Sequence, residues 1–314
     1  MIKTTDNKLL INQSLIKKFL YRGEVRDYCP YSIYCQSIID THNIHTNSVI
    51  AGSYFETQCL GSGVRGNKTD DMPRKNLTKK EILSGNTIGS KTVDHQRIDK
   101  QVMIFEQQKA IYQINVQKEV NTQVRVYKPW ERNNDVILNG EYDIFPTTIL
   151  LNDGSIYLAA IDLKLTKTFT DFGEYCWLNP TGLDLTQAYM YHELARDIDI
   201  DFNLKMMPDS KLQYLYTSNI KKQLKKNNLQ FLFWVFEYSK EMRTKFINVS
   251  WNPTKRAELF ESIRLTIEEI NKNEQKGWMN TNPIYENCKK CPVFECPNRI
   301  AFDDKPKFEQ HEEV

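Results

Sequence analysis

The sequence predicts an α/β protein, and three observations carry that reading. A stretch with apolar residues at helical spacing, about 92–115 with Ile98, Val102, Phe105 and Ile111, leads into three β-favouring runs at about 122–130, 136–145 and 156–165. The run 231–236 (FLFWVF) is the most apolar of the chain and reads as a central buried strand. Between and after these runs stand two further helical stretches, one from about 184 and a polar one over about 254–273.

Composition bounds what such a protein can do. The chain has 314 residues, 40% hydrophobic and 26% charged, enough for one large domain or two small ones with a sizeable core. A net charge of +2 gives no global field for nucleic acid, so any such site is a local patch. No apolar run of about 18 residues and no leader pattern is present, so neither membrane nor secretion is expected, and the cytoplasm is. Seven cysteines in such a chain point to metal or cluster ligation rather than disulfides.

In chain order, a short helix is expected around 11–20. Cys29-Pro30 opens a second, reaching about 40, with proline in its first turn. A third, over 52–60, carries one acid, Glu56, among apolar neighbours. Alone, Glu56 reads as an ordinary part-exposed glutamate. Gly61-Ser62-Gly63-Val64-Arg65-Gly66 matches a dinucleotide-binding fingerprint, but it follows a helix and precedes a polar loop. Both contexts are wrong for phosphate binding, so no ATP or nucleotide site is expected there. Thr78-Lys79-Lys80-Glu81 has the form of a capping box. The basic stretch Lys221, Lys222, Lys225, Lys226 reads first as a solvated helix face. With five histidines and no HExxH, a zinc protease is unsupported.

The run Ile156-Tyr157-Leu158-Ala159-Ala160-Ile161-Asp162-Leu163-Lys164-Leu165 holds the chemistry. Asp162 and Lys164 are two apart on a strand and so share a face. Charges in so apolar a run must be paired or hold a metal. Asn152-Asp153-Gly154 before it is a hairpin signal. A two-residue Asp-Gly loop pairs Asn152 with Ser155 and, carried along the strands, Asp143 with Lys164. Asp162 is then the diagonal neighbour of Asp143, roughly 7 Å away at Cβ. Pro146 lies in the first strand, and a one-residue bulge there would flip the parity.

Near the C-terminus Cys288, Cys291 and Cys296 fall within nine residues, two of them followed by proline, which is the pattern of a metal knuckle or cluster loop. A fourth ligand is needed. Cys29 is the first candidate and Cys35 the second, and zinc and a [4Fe–4S] cluster both suit four thiolates.

Together these residues resemble the RecB-like branch of the PD-(D/E)xK nucleases, and within it the iron–sulfur group that includes CRISPR-adaptation exonucleases, AddB subunits and phage-encoded relatives. The pattern reads here as Glu56, then Gly140-Glu141-Tyr142-Asp143, then Asp162-Leu163-Lys164, then Gln187-Ala188-Tyr189-Met190-Tyr191, with Cys29, Cys288, Cys291 and Cys296 as the cluster set. Glu56 stands where a histidine is common.

The resemblance implies a restriction-endonuclease-like core, a mixed sheet flanked by helices, within a single domain of residues 1–302. The core covers about 50–250, the cysteines staple the two ends, and 303–314 form a charged disordered tail. It implies Mg2+ or Mn2+ held by Glu56, Asp143, Asp162 and the Leu163 carbonyl. Lys164 would stay protonated until it orients or deprotonates the water, and Gln187 and Tyr191 would position lysine, water or DNA backbone. The implied activity is DNA hydrolysis, as an exonuclease in phage replication, recombination or repair, in bacterial or phage-infected cytoplasm, with a helicase or recombination protein as a partner. Hard oxygen ligands independently suit such a cation. The competing readings are a non-catalytic DNA-binding or assembly subunit and a zinc-stapled structural protein.

Overall fold

The structure is a computed structural model that describes residues 3–35, 47–61, 92–172, 175–225 and 229–278. Cys288, Cys291 and Cys296, the glycine-rich segment from Ser62, the capping box at 78–81 and the charged tail lie outside the described residues. The chain divides into two compact units, one of Met1–Ile44 with Phe260–Val314 and one of His45–Leu259.

In the first unit, strand β1 (Leu9–Ile11) precedes helix α1 (Gln13–Phe19), which Asn12 caps by accepting the Leu15 N–H at 2.8 Å. A small hairpin of β2 (Leu20–Tyr21) and β3 (Glu24–Val25) leads to the short helix α2 (Pro30–Ile33), which Cys29 precedes. Tyr28 sits edge-on to Phe19, pairs with Glu269 and accepts from Asn273 at 2.8 Å. Tyr34 lies 5.8 Å from Trp278, ring to ring.

The larger unit is a mixed sheet between helices. Helices α3 (Asn47–Leu60) and α4 (Val93–Ile111) come first, then strands β4 (Thr122–Trp130), β5 (Asn133–Leu150) and β6 (Ile156–Thr166). Helices α5 (Thr186–Ala195), α6 (Ile200–Met206), α7 (Leu212–Leu215) and α8 (Ser218–Lys225) follow. Strands β7 (Gln230–Glu237) and β8 (Thr244–Val249) close the sheet, and helix α9 (Pro253–Gln275) carries the chain into the first unit. Lys221 and Lys222 are exposed on α8.

Within this unit the strands run β4-β5-β6-β7-β8, antiparallel except for the parallel pair β6–β7. Parallel neighbours need a crossover, and the long connection through α5 to α8 supplies it. The run predicted at 231–236 is β7, buried along nearly its whole length between β6 and β8.

Alternation along β6 sorts the sheet into two faces. Ile161 and Leu163 join Leu232, Trp234 and Phe236 in a core sealed by Phe55 and Cys59 of α3 and Ile98 and Phe105 of α4. Asp162 and Lys164 point the other way, beside Phe233 and Val235 of β7. That face is covered by α5, where Tyr191 and His192 lie 5.5 and 6.1 Å from Phe231. No helix among the described residues is long and apolar enough to cross a membrane.

The β5–β6 hairpin corrects the register expected from the sequence. Its loop has three residues, not two. Leu151 N–H donates to Ser155 O at 3.0 Å and Gly154 N–H to Leu151 O at 2.9 Å, with Gly154 at φ +78°. This is a turn with a glycine in the left-handed region, and it pairs Leu150 with Ile156. A bulge between Ile144 and Thr147, at Pro146, then shifts the register once more, so that Ile144 faces Ile161. Continued by one residue, Asp143 faces Asp162 rather than Lys164. The two one-residue departures cancel in parity, and the two acids share a face.

Candidate active site

Four residues converge where β5 and β6 meet α5. Asp143 and Asp162 are both buried, and Asp162 is 2% exposed. The Leu163 N–H donates to Asp143 Oδ2 at 2.6 Å. Lys164 Nζ lies 2.5 Å from Asp162 Oδ2, with the lysine side chain 26% exposed. Gln187 Nε2 donates to Asp162 Oδ1 at 2.5 Å. The amide thus fixes one carboxylate oxygen, and the ammonium neutralises the other.

The electrostatics follow from burial. Asp143 is pushed well above the usual carboxylate range, first by desolvation, then by the nearby charges of Asp162 and Glu56. Burial alone would lower Lys164, but the carboxylates of Asp162 and Asp143 outweigh it and hold the ammonium above its ordinary value. Glu56, half-buried on α3, acts on both Asp143 and Lys164, so its charge is felt in the site.

Tyr191 helps seat α5 on the sheet. Its hydroxyl donates to Glu141 O at 2.8 Å, and Tyr142 donates to Tyr191 O at 2.6 Å. The Tyr142 ring lies against Tyr191 at 4.6 Å and stacks on Phe145 at 4.5 Å. This packing needs Gly140. A Cβ there would stand 2.5 Å from Tyr191 Cε1 and 2.7 Å from Leu194 Cδ1. Burial also raises the Tyr191 pKa well above its usual value, with Asp162 and Asp143 adding to it.

Of the residues expected to act together, Lys164 and Gln187 both contact Asp162, Asp143 takes the Leu163 N–H and feels the charges of Asp162 and Lys164, and Tyr191 packs alongside. Leu163 buries its side chain in the core and contributes its N–H to the site. Cys29 is half-buried ahead of α2 in the first unit, and Cys35 is buried beside Tyr31 and Tyr34.

Sequence reasoning passed over the buried acid Glu193, which anchors α5 from its far end. Lys128 Nζ lies 2.7 Å from Glu193 Oε1, and Arg256 Nε donates to Oε2 at 2.7 Å. Arg256 also reaches Glu131 at 2.9 Å. Burial opposes ionisation of Glu193, but Arg256 and Lys128 overcome it and hold its pKa below the usual value. No local motif marks Glu193, because its partners come from a distant strand and helix.

Among the described residues no group of three or more His, Cys, Asp or Glu side chains stands ready to hold a metal. Asp143 and Asp162 nevertheless supply buried hard oxygens, and Asp162 Oδ2 receives no aligned hydrogen bond although Lys164 is close by. Magnesium is commonly held by one or two carboxylates plus water and substrate phosphate, so this pair suits it.

No protein-family model and no curated protein matches the chain. Among solved structures, a protein from Eubacterium rectale provisionally named an exonuclease aligns with a TM-score of 0.46 and 14% identity, over 92% of this chain and 98% of that one. This is a loose likeness in outline.

Proposed function

We propose that the chain is a metal-dependent phosphodiester hydrolase acting on DNA, an exonuclease of the RecB-like PD-(D/E)xK kind. The observation that carries this reading is the juxtaposition of Asp143 and Asp162 on adjoining strands, with Lys164 paired to Asp162 on the same face. Two acids and an ammonium on one sheet face form a site for a cation and a phosphate oxygen.

Asp143 and Asp162 would hold Mg2+ or Mn2+, with Glu56 supporting from α3. When bound, such an ion supplies Lewis acidity to the phosphate and acidifies water. The chain's own residues do the rest. Protonated Lys164 presents positive charge and N–H donors to a non-bridging phosphate oxygen as negative charge builds there. Gln187 keeps Asp162 from swinging toward Lys164 alone. The Leu163 N–H fixes Asp143, so the second acid stays in register. In hydrolysis a water oxygen bonds to phosphorus as the water gives up a proton, one ester P–O bond breaks, and a proton returns to the departing alkoxide, so that none is gained or lost overall.

A [4Fe–4S] cluster on Cys29, Cys288, Cys291 and Cys296 belongs to the same proposal. The supporting observation is the Tyr34–Trp278 contact, which starts the chain toward Cys288 beside the Cys29–Cys35 segment. Ten residues reach at most about 35 Å, so this start leaves Cys29 within range.

The deciding experiment is cleavage of end-labelled DNA with Mn2+ by protein purified without air. Stepwise shortening that Asp162→Ala abolishes, with DNA binding retained, is the expected result. Undiminished cutting in Asp162→Ala would end the proposal.

A further inference from the structure

Two neighbouring residues at the head of β4 are polar and buried, and the hydrolytic chemistry uses neither. Asn121 is 3% exposed and Thr122 2%. Polar side chains so deep in a protein persist where their hydrogen bonds are met. The partners of this pair come from three separate segments of the larger unit.

Asn121 holds the bulge of β5. Its Nδ2 donates to Pro146 O at 3.0 Å and to Asn115 O at 2.8 Å, and its Oδ1 accepts the Gln117 N–H at 2.8 Å. Its carbonyl accepts the Phe145 N–H at 2.8 Å. Phe145 stands two residues from Asp143. Thr147, just past the bulge, closes on the same loop, its hydroxyl donating to Asn115 O at 2.8 Å.

Thr122 holds the end of α3. Its hydroxyl donates to Leu60 O at 3.0 Å and accepts the Glu119 N–H at 2.9 Å. Its carbonyl accepts from Lys211 Nζ at 2.5 Å. A second tie to the same helix end comes from Lys118, whose Nζ donates to Gln58 O at 2.7 Å. Leu60 lies about one helical turn beyond Glu56, so a shift of the helix end moves that acid with it. Glu56 is near enough for its charge to act on Asp143 and Lys164.

The two ties meet in adjacent residues. Both are satisfied only while the α3 end and the β5 bulge keep one relation, since moving either strips a buried donor or acceptor of its partner. We infer that Asn121 and Thr122 are positioning residues of the metal site, a joint that sets Glu56 of α3 against Asp143 of β5. This rests on the reading of those acids as cation ligands. Thr122 acts through Glu56 and Asn121 through Asp143. Magnesium demands near-ideal ligand geometry, so displacing one carboxylate weakens its hold.

The test is Mn2+ titrated into the full chain without DNA, the free ion being followed by its electron paramagnetic resonance. The site is the binding that Asp162→Ala removes. Thr122→Val keeps the shape and loses the hydroxyl, and it should weaken that binding about tenfold, as for loss of a group that orients a ligand. Thr122→Ser keeps the hydroxyl and should bind as wild type does. In a Glu56→Gln background Thr122→Val should add no further loss, because the acid it acts through is gone. Asn203→Ala breaks a buried amide's bonds to Tyr127 at the edge of β4, and it should lower the melting temperature without moving Mn2+ affinity. Lys118 is exposed, so Lys118→Met keeps the fold even where Thr122→Val does not. It should weaken Mn2+ binding, whereas loss of a cation by charge alone would strengthen it.

Wild-type Mn2+ affinity in Thr122→Val would overturn the joint, as would a full additional loss in the Glu56→Gln background or tighter binding in Lys118→Met. Equal losses in Thr122→Val and Thr122→Ser would overturn it too, since the hydroxyl would then play no part. Mn2+ binding that Thr122→Val weakens, in a wild type that cuts no DNA, would sink the hydrolase reading and leave the joint standing. A wild type without Asp162-dependent Mn2+ binding would end both.

Discussion

Gln187 Nε2 reaches across from α5 to Asp162 Oδ1 at 2.5 Å, leaving the other carboxylate oxygen to Lys164. A side chain from the crossover helix thereby sets the rotamer of an acid on β6. Removing it leaves Asp162 free to turn fully onto Lys164. Gln187→Ala should keep the fold and lower Mn2+-dependent cleavage by about 10- to 100-fold, the usual cost of losing a group that orients a ligand. Initial rates on end-labelled DNA across a Mn2+ titration would show it, with the half-saturating Mn2+ concentration raised.

Lys164→Ala should cost cleavage about 100- to 1,000-fold, as for loss of one preorganised donor to a developing charge. It should also lower stability, because it leaves two buried acids without their counter-charge. Asp143 is already burdened by the charges of Asp162 and Glu56, and the lysine relieves it. Without the lysine the pair should bind a proton more readily, and a rise in melting temperature on adding Mn2+ should be measurable.

Gly140→Ala tests the seating of α5. The added methyl meets the Tyr191 ring and Leu194 closer than van der Waals contact allows. A loss of about 1–3 kcal/mol is expected from overpacking. Cleavage should fall as well, because Tyr191 and Gln187 share the displaced helix. Denaturant melts and cleavage rates together would check this, and a variant as stable and active as wild type would contradict the packing described.

Glu237 supplies the pH dependence. It is fully buried, pairs with Arg243 at 2.6 and 2.9 Å and accepts from Phe169 N–H, and its pKa is lowered to about 2 by the Arg243 hydrogen bonds, against the desolvation that would raise it. A folded-state pKa below the unfolded one means stabilisation that is complete above the ordinary glutamate value and is lost as pH falls from about 4.5 toward 2. Melting temperature should drop through that window. Glu237→Gln should start lower at neutral pH and show a shallower acid slope.

The cluster has its own readout. Protein prepared without air should contain about four irons per chain and absorb visible light, as expected of a cubane held by four thiolates. Cys29→Ala should lose both, while Cys35→Ala should not. Zinc in place of iron would replace the cluster with a structural zinc site.

The longer helices and strands were legible from their period or their apolar run, whereas the short strands β1 to β3 and the short helices α6 and α7 were not expected. The stretch expected as a helix over 92–115 is α4, and the apolar run at 231–236 is β7. That Asp143 and Asp162 share a face was also legible, but by a route that differs in two places. Asp153-Gly154 suggested a two-residue loop, yet Asn152 joins it, and Pro146 adds the bulge. Neither departure has a local signature strong enough to fix it, since both depend on how the hairpin meets its neighbours. Glu193 stayed invisible for a related reason. An acid on a helix reads as solvated until Lys128 and Arg256 arrive from elsewhere in the chain.

The three-residue turn and the Pro146 bulge make the spacing between Asp143 and Asp162 behave like an even-or-odd code. Deleting Gly154 alone, or Pro146 alone, would send one acid into the oily side of the sheet, where Leu163 now sits. Deleting both would return it. Changes of length in this hairpin should therefore be tolerated only in compensating pairs, so a chain that keeps such chemistry can drift there in steps of two but not of one.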